Sequence, residues 1–232
     1  MKIGILQTGQ APAELSAQLG DYPALFEQLL AGAGLDFATW HVEAMEFPDS
    51  PDQADGWLIT GSRHGVYEDH TFIAPLEQFI RDAFAAGKPV VGICFGHQIM
   101  AQALGGKVGK FPGGWAIGPQ SYEFEGTPLV LNAWHQDQVL EPPPQARILG
   151  TNPFCRYAAL GYGDIGYSVQ AHPEFEDAFI KGLIDTRGPG VVPDALLDQA
   201  SRSLGGARDS AVIGARIVAF FKDHQRSRAQ PG

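Results

Sequence analysis

Residues 89–106, PVVGICFGHQIMAQALGG, constrain the fold more tightly than any other stretch of the chain, because they require a strand to turn at once into a helix. Val90 to Ile93 form an apolar β-run behind Pro89, and Met100, Ala101 and Leu104 recur at helical spacing within Phe95 to Leu104. Cys94 is left at the corner between them. Gly92 and Gly96 bracket it, and a sharp strand-to-helix turn packed against a neighbouring strand needs residues without a Cβ there. The pattern, G-x-C-x-G, is an elbow that presents a nucleophile, with sulfur at its tip. Unpaired backbone N–H groups and the macrodipole at a helix N-terminus stabilise a thiolate. A cysteine between Ile93 and Phe95 also fits plain core packing, so the elbow alone leaves both readings open.

A parallel sheet is what such an elbow belongs to, and the segments before it agree. Lys2 to Gln7 reads as a first strand, Tyr22 to Ala31 as an amphipathic helix, Phe37 to Val42 as a second strand and Trp57 to Thr60 as a third. A helix from about Phe72 to Ala86 then leads back to the elbow strand. Strands alternating with helices predict an α/β fold: a mostly parallel central sheet flanked by helices, with ligands at the carboxyl ends of the strands. After Gly106 the texture changes to short strand-like runs: Lys107 to Phe111, Ala116 to Phe124, Leu129 to Ala133, Arg147 to Thr151, Cys155 to Gly161 and Ile165 to Ala171. These predict a small antiparallel extension. Helices follow at Asp177 to Thr186, Asp194 to Leu204 and Ser210 to Asp223, and residues from about 225 to 232 read as a polar tail. No repeat or linker divides residues 1–232, so a single domain is expected.

Charge and cysteine usage narrow the function classes. With 16 basic against 26 acidic residues the net charge is −10, and no Lys/Arg stripe is available to track phosphates, which argues against a nucleic-acid partner. The apolar run Ala211 to Phe221 is interrupted by Arg216, so no membrane span is expected. Two cysteines, Cys94 and Cys155, make no disulfide framework, and no signal peptide is evident; a cytoplasmic location follows as the expectation.

The chain offers a base for the thiol at Tyr167 to Phe175, YSVQAHPEF. Proline disfavours helix at the residue before it, so His172 is expected to stay extended, with Glu174 projecting to the same side to hold the ring by an N–H. A histidine oriented by a carboxylate is what a nucleophilic thiol requires. If the fold brings His172 to Cys94, the three side chains form a Cys-His-Glu triad.

The Cys94 elbow and the downstream His172-Pro173-Glu174 resemble the corresponding motifs of the class I glutamine amidotransferases. The run ITGSRHGVYED, residues 59–69, is similar to that family's glycine-rich loop after the third strand, and WHQDQV, residues 134–139, to its glutamine-contacting S-H-x-D-x-V segment. The phrases GGWAIG and QAHPEF resemble most the GMP-synthetase-like amidotransferases and the related gamma-glutamyl peptidases. The resemblance implies a flavodoxin-like fold, no cofactor and no metal. It implies that Cys94 attacks the side-chain carbonyl of glutamine or a similar gamma-glutamyl substrate to form a thioester, releasing ammonia, while His172 shuttles protons and Glu174 orients it. Backbone N–H groups of Phe95 and of the Gly61-Ser62 turn would hold the oxyanion. Gln98, Trp134, His135, Gln136 and Asp137 would contact substrate. Trp134 stands where the family commonly has Ser or Asn, which alters the pocket wall, and Arg63 and His64 stand where relatives often have a proline and a small residue, which suits a larger or more anionic substrate; Arg63, His64 and His70 equally fit plain solvated loop residues.

Three other readings stand beside this one. The chain contains no G-x-x-x-x-G-K-[ST] ATP loop, so either a separate synthetase is the partner that takes the ammonia, or the protein hydrolyses gamma-glutamyl peptides or glutathione conjugates alone. A catalytically idle binding module is another reading. Metal ligation by Cys94, His97, His135 and His172 is disfavoured, because these residues form no tight Cys-x-x-Cys or His-x-x-x-His pair.

Overall fold

A computed structural model describes residues 1–229. Its first strand, β1 (Lys2–Gln7), is followed by two short helices, α1 (Ala13–Leu19) and α2 (Tyr22–Leu29), and by β2 (Asp36–His41) and β3 (Gly56–Ile59). Then come α3 (Ile73–Ala85), β4 (Val90–Ile93) and α4 (Phe95–Ala103). The second half runs through β5 (Lys107–Lys110), β6 (Ala116–Phe124), β7 (Thr127–His135), β8 (Asp137–Glu141), β9 (Arg147–Thr151), β10 (Ala159–Tyr162) and β11 (Gly166–Val169). It closes with α5 (Asp177–Thr186), α6 (Asp194–Ser203) and α7 (Ser210–Ala229).

Nine strands form one sheet in the order β2-β1-β3-β4-β11-β10-β9-β6-β7, and β5 pairs with β8 in a separate two-stranded sheet. The five strands from β2 to β11 are parallel, and β10, β9, β6 and β7 continue the sheet antiparallel. The expected α/β architecture is therefore present, with the antiparallel strands extending the same sheet. β3, β4 and β11 carry an unbroken row of buried residues, as strands covered on both faces should. One face packs Ile3, Ile5, Leu58 and Val91 against Phe26 of α2 and Ile213, Ile217 and Phe221 of α7. The other packs Trp57, Ile59 and Val90 against Phe79 and Ile80 of α3 and Ile99 and Met100 of α4. A third cluster joins Leu15, Tyr22 and Ile117 to Phe175, Phe179 and Leu183.

Several boundaries depart from the sequence expectation. α1 buries only Leu15, so its sequence carries no apolar periodicity to read. β8 alternates too weakly to mark a strand, and it forms because β5 pairs with it. β10 starts at Ala159 rather than Cys155, since the Asn152 side chain accepts from the N–H groups of Phe154 and Cys155 and holds them in a turn. Residues 225–229 of the expected tail continue α7; residues 230–232 lie outside the described residues, as does the Arg228 side chain. Among the described residues no helix is long and apolar enough to cross a membrane.

Candidate active site

Cys94 sits at the carboxyl end of β4 with φ 53° and ψ −102°, a left-handed conformation that a non-glycine residue adopts only under constraint, at on the order of 1–3 kcal/mol. The constraint is visible on both sides. A Cβ on Gly92 would run into the Gly96 carbonyl, and one on Gly96 into the Ile59 carbonyl, so the turn and the β3–α4 contact close only with glycine. Cys94 N–H donates to Val169 O at 2.9 Å and Gly96 N–H to Thr60 O at 3.2 Å, which ties the elbow to both flanking strands. Such a turn leaves the Phe95 N–H at the first helical position without an intrahelical acceptor.

Strand order brings the remaining groups to the sulfur. β3 and β11 are the two parallel neighbours of β4, with Ile59 opposite Gly92 and Val169 opposite Ile93. The segments leaving all three strands, Thr60-Gly61-Ser62, Cys94 and Gln170 to Glu174, therefore emerge at one edge. A Cβ placed on Gly61 would lie 2.9 Å from His172 Cε1 and 3.8 Å from Cys94 Cβ, so the three residues meet at van der Waals distance. Cys94, His172 and Glu174 are 5%, 4% and 5% exposed.

His172 Nδ1–H donates to Glu174 Oε1 at 2.7 Å. The contact arises differently from the extended geometry that the sequence suggests: β11 stops at Val169, and residues 172–175 form a turn closed by Phe175 N–H on His172 O at 3.3 Å. The His172 ring stacks flat on Phe175, with centroids 4.0 Å apart and an interplanar angle of 3°, and the His172 backbone N–H donates to Asn132 O of β7. Burial by itself would depress the imidazole pKa; attraction to Cys94 and to Glu174, with a hydrogen bond to each, outweighs it and raises the value from 6.5 to about 10. The His172 ring thus lies between the Glu174 carboxyl group and the sulfur, a setting that favours its protonated form.

The Gly61-Ser62 peptide is held by side chains absent from the sequence expectation. Thr8 Oγ1 and Thr60 Oγ1 both donate to Gly61 O, at 3.1 and 3.0 Å. In a planar trans peptide the N–H points opposite to the carbonyl, so pinning Gly61 O fixes the direction of the Ser62 N–H. Gln170 is a further neighbour that the sequence pattern does not mark: its Nε2 donates to Cys94 Sγ at 3.6 Å, and its Oε1 accepts from Gln98 Nε2 at 3.0 Å. The only sequence cue was its position two residues before His172. Gln170→Leu, which keeps the volume and removes the donor, is expected to lower kcat about tenfold at unchanged KM, checked by steady-state kinetics. A rise in KM with kcat intact would show that Gln170 serves substrate binding instead.

The cavity above Cys94, of ≈ 350 Å³, is bordered by Gln98, Trp134, His135, Gln136, Asp137 and His172, so each expected substrate contact lies on its wall. Their states differ. Both Gln98 amide hydrogens are engaged within the protein, on Asp137 O and on Gln170, leaving Oε1. Asp137 Oδ2 accepts from the Tyr67 hydroxyl at 3.0 Å, and burial raises its carboxyl pKa. His135 donates through Nδ1 to Asp137 O, and burial, reinforced by the nearby His172 charge, pushes its pKa down to about 3, so it is neutral. Trp134 leans on Trp115 at a centroid distance of 6.2 Å. His97 lies behind the elbow, bonded to Ser168 Oγ at 2.8 Å and neutralised by burial. Cys94, His97, His135 and His172 therefore do not gather as a metal-ligand set; among the described residues that property belongs to a different group.

Comparison with known proteins bears on this arrangement. A gamma-glutamyl peptidase 4 of Arabidopsis thaliana is 32% identical over 182 residues, covering 72% of each chain. A glutamine-hydrolysing GMP synthase of Aeropyrum pernix is 31% identical over 175 residues, 60% of this chain but 34% of the synthase. The crystal structure of a glutamine amido transferase from Methylobacillus flagellatus superposes with a TM-score of 0.75 at 21% identity, over 97% of this chain and 94% of that one, a likeness of fold. The model of the family described as Glutamine amidotransferase class-I matches residues 25–178, a span that takes in β3, the Cys94 elbow and the His172 turn alike, and the chain accordingly belongs to the class I glutamine amidotransferase family.

Proposed function

We propose that the protein is an enzyme that hydrolyses a gamma-glutamyl amide bond through a thioester on Cys94. The observation that carries this is the pairing, at one sheet edge, of a strained Cys94 with a buried His172 held by Glu174. The Cys94 thiolate attacks the gamma-carbonyl carbon, and the oxyanion that forms is held by the N–H groups of Phe95 and Ser62. The protonated His172 gives its proton to the leaving nitrogen, which departs as ammonia or an amine while the C–N bond breaks. His172, now neutral, takes a proton from water as it attacks the thioester; the C–S bond breaks, the glutamate is released, and the Cys94 thiolate and protonated His172 are restored. Asp137 and Gln136, with Lys110 beside them on the cavity wall, supply opposite charges and polar groups for the amino and carboxylate ends of the glutamyl group.

Glutamine is the simplest substrate of this reading. A second, gamma-glutamyl peptides, is supported by Arg63 and Arg187, which border the Cys94 cavity and an adjoining one of ≈ 600 Å³, and so offer cations to an extended anionic leaving group. The names of the peptidase relatives point the same way. Delivery of ammonia to a separate synthetase rests on the synthase relatives alone. The chain acts as one unit, and a nucleophilic thiol suits a reducing cytoplasm. Release of glutamate by the purified protein from glutamine and from gamma-glutamyl dipeptides is the test. We expect turnover without any added protein; absence of turnover for every substrate until a synthetase is supplied would replace independent hydrolysis by a partnered reaction.

A further inference from the structure

We propose that His64, Glu68 and His70, on the loop between β3 and α3, form a binding site for a divalent transition ion of the zinc class at the mouth of the Cys94 cavity. One ligand atom from each of the three lies within 4.8 Å of the other two. Glu68 Oε2 stands 2.9 Å from His70 Nε2 and 3.9 Å from His64 Nδ1. Nitrogen and oxygen ligands at about 2.0–2.2 Å from a tetrahedral zinc ion are roughly 3.3–3.5 Å apart. One pair therefore opens, and the other closes, by about half an ångström to receive the ion. Two imidazoles and one carboxylate, with no thiolate, suit zinc rather than the all-oxygen shells of calcium or magnesium.

The surroundings pre-orient this set. His64 Nε2 lies 2.8 Å from Glu43 Oε1, and a carboxylate only accepts, so Nε2 carries the hydrogen. In the neutral imidazole the lone pair of Nδ1 is then turned toward Glu68 Oε2, acceptor facing acceptor, an arrangement that a cation between them resolves. A carboxylate behind a ligating histidine fixes its tautomer and raises its basicity. By the same rule His70 Nε2–H donates to Glu68 Oε2 at 2.9 Å, so an ion takes the place of that hydrogen, which moves to Nδ1 of the ring. The two imidazoles lie 4.1 Å apart by ring centroid, and both rest against Phe72, at 5.8 and 5.9 Å. Gly65 N–H donates to Glu68 Oε2 at 3.0 Å, which holds the carboxylate in place.

The same loop carries Tyr67, whose hydroxyl reaches Asp137 across the cavity. An ion joining residues 64, 68 and 70 fixes that wall of the substrate cavity, so metal occupancy couples loop order to the site without entering the thioester chemistry.

The test is equilibrium dialysis of the Cys94→Ser protein against zinc and cobalt(II), the serine removing the thiolate that would otherwise compete for metal. The expected result is one ion per chain, a four-coordinate cobalt absorption without a sulfur charge-transfer band, and a rise of Tm with zinc. His64→Ala and His70→Ala should each weaken affinity at least about tenfold, and Glu43→Gln by about 10–100-fold. Glu68→Gln, which keeps shape and the acceptor for Gly65, covers the case in which an alanine disturbs the loop. Sub-stoichiometric binding, or unchanged affinity and Tm shift in the His64→Ala/His70→Ala double variant, would overturn the site.

Discussion

Cys94→Ala is expected to abolish turnover of every gamma-glutamyl substrate, with a loss on the order of 10⁴–10⁶-fold in kcat, while the protein stays folded. Glu174→Ala should cost less, about 10²–10⁴-fold, because it touches the reaction only through the orientation and charge of His172. Equal losses would assign Glu174 a role beyond orientation. The same Cys94→Ala change should be visible in a titration. With the sulfur gone, the His172 imidazole keeps Glu174 but loses its largest favourable partner, so burial draws its pKa down from about 10. A folded-state value raised above the unfolded 6.5 contributes stability that is complete below about 6.5 and is lost as pH rises through about 10. Stability of the native protein should therefore decline toward alkaline pH over that window, and Cys94→Ala should flatten the decline. Thermal melts across the window, with imidazole NMR, decide the matter. Identical titration of His172 in both proteins would mean that the sulfur and the ring do not form a pair.

Gly61→Ala is expected to remove activity by about 10²-fold with little change in overall fold. Its new methyl would sit 2.9 Å from His172 Cε1, inside the distance real Cβ atoms keep, and the ring is restrained by its stacking on Phe175 and by the Nδ1–H bond to Glu174. Something on the order of an ångström of displacement then falls on the His172–Cys94 contact or on the Ser62 N–H, and a shift of that size costs about 10²-fold. The informative measurement is kcat alongside labelling of Cys94 by a glutamine-analogue diazoketone. Unimpaired kcat would show that the Gly61 segment is not packed on the triad; lost kcat with an unaltered melting curve is the expected pair of results.

Much of this was legible locally. Gly92-Ile93-Cys94-Phe95-Gly96 announced a strand-to-helix corner because periodicity changes within five residues and only glycine fits the two close approaches. His172-Pro173-Glu174 announced a histidine held by a carboxylate, although the hydrogen bond forms across a turn rather than along an extended strand. Thr8, Thr60 and Gln170 were not legible, since a threonine or glutamine near a strand end has no distinctive pattern until its partner is known. The grouping of His64 and His70 with Glu68 is not legible either, because nothing in their spacing reveals that Glu43, 21 residues earlier than His64, backs one imidazole.

Sequence by itself determined the Cys94 corner and the candidate His172-Pro173-Glu174 motif downstream of a strand, because glycine sterics, proline restriction and apolar periodicity all act over a few residues. Whether Cys94 and His172 meet was decided only by the tertiary structure. Seven strands or helices separate β4 from β11 along the chain, and hydrogen-bond register alone sets Val169 beside Ile93 and Ile59 beside Gly92, so that Cys94, the His172 turn and the Gly61-Ser62 turn leave the sheet at one edge.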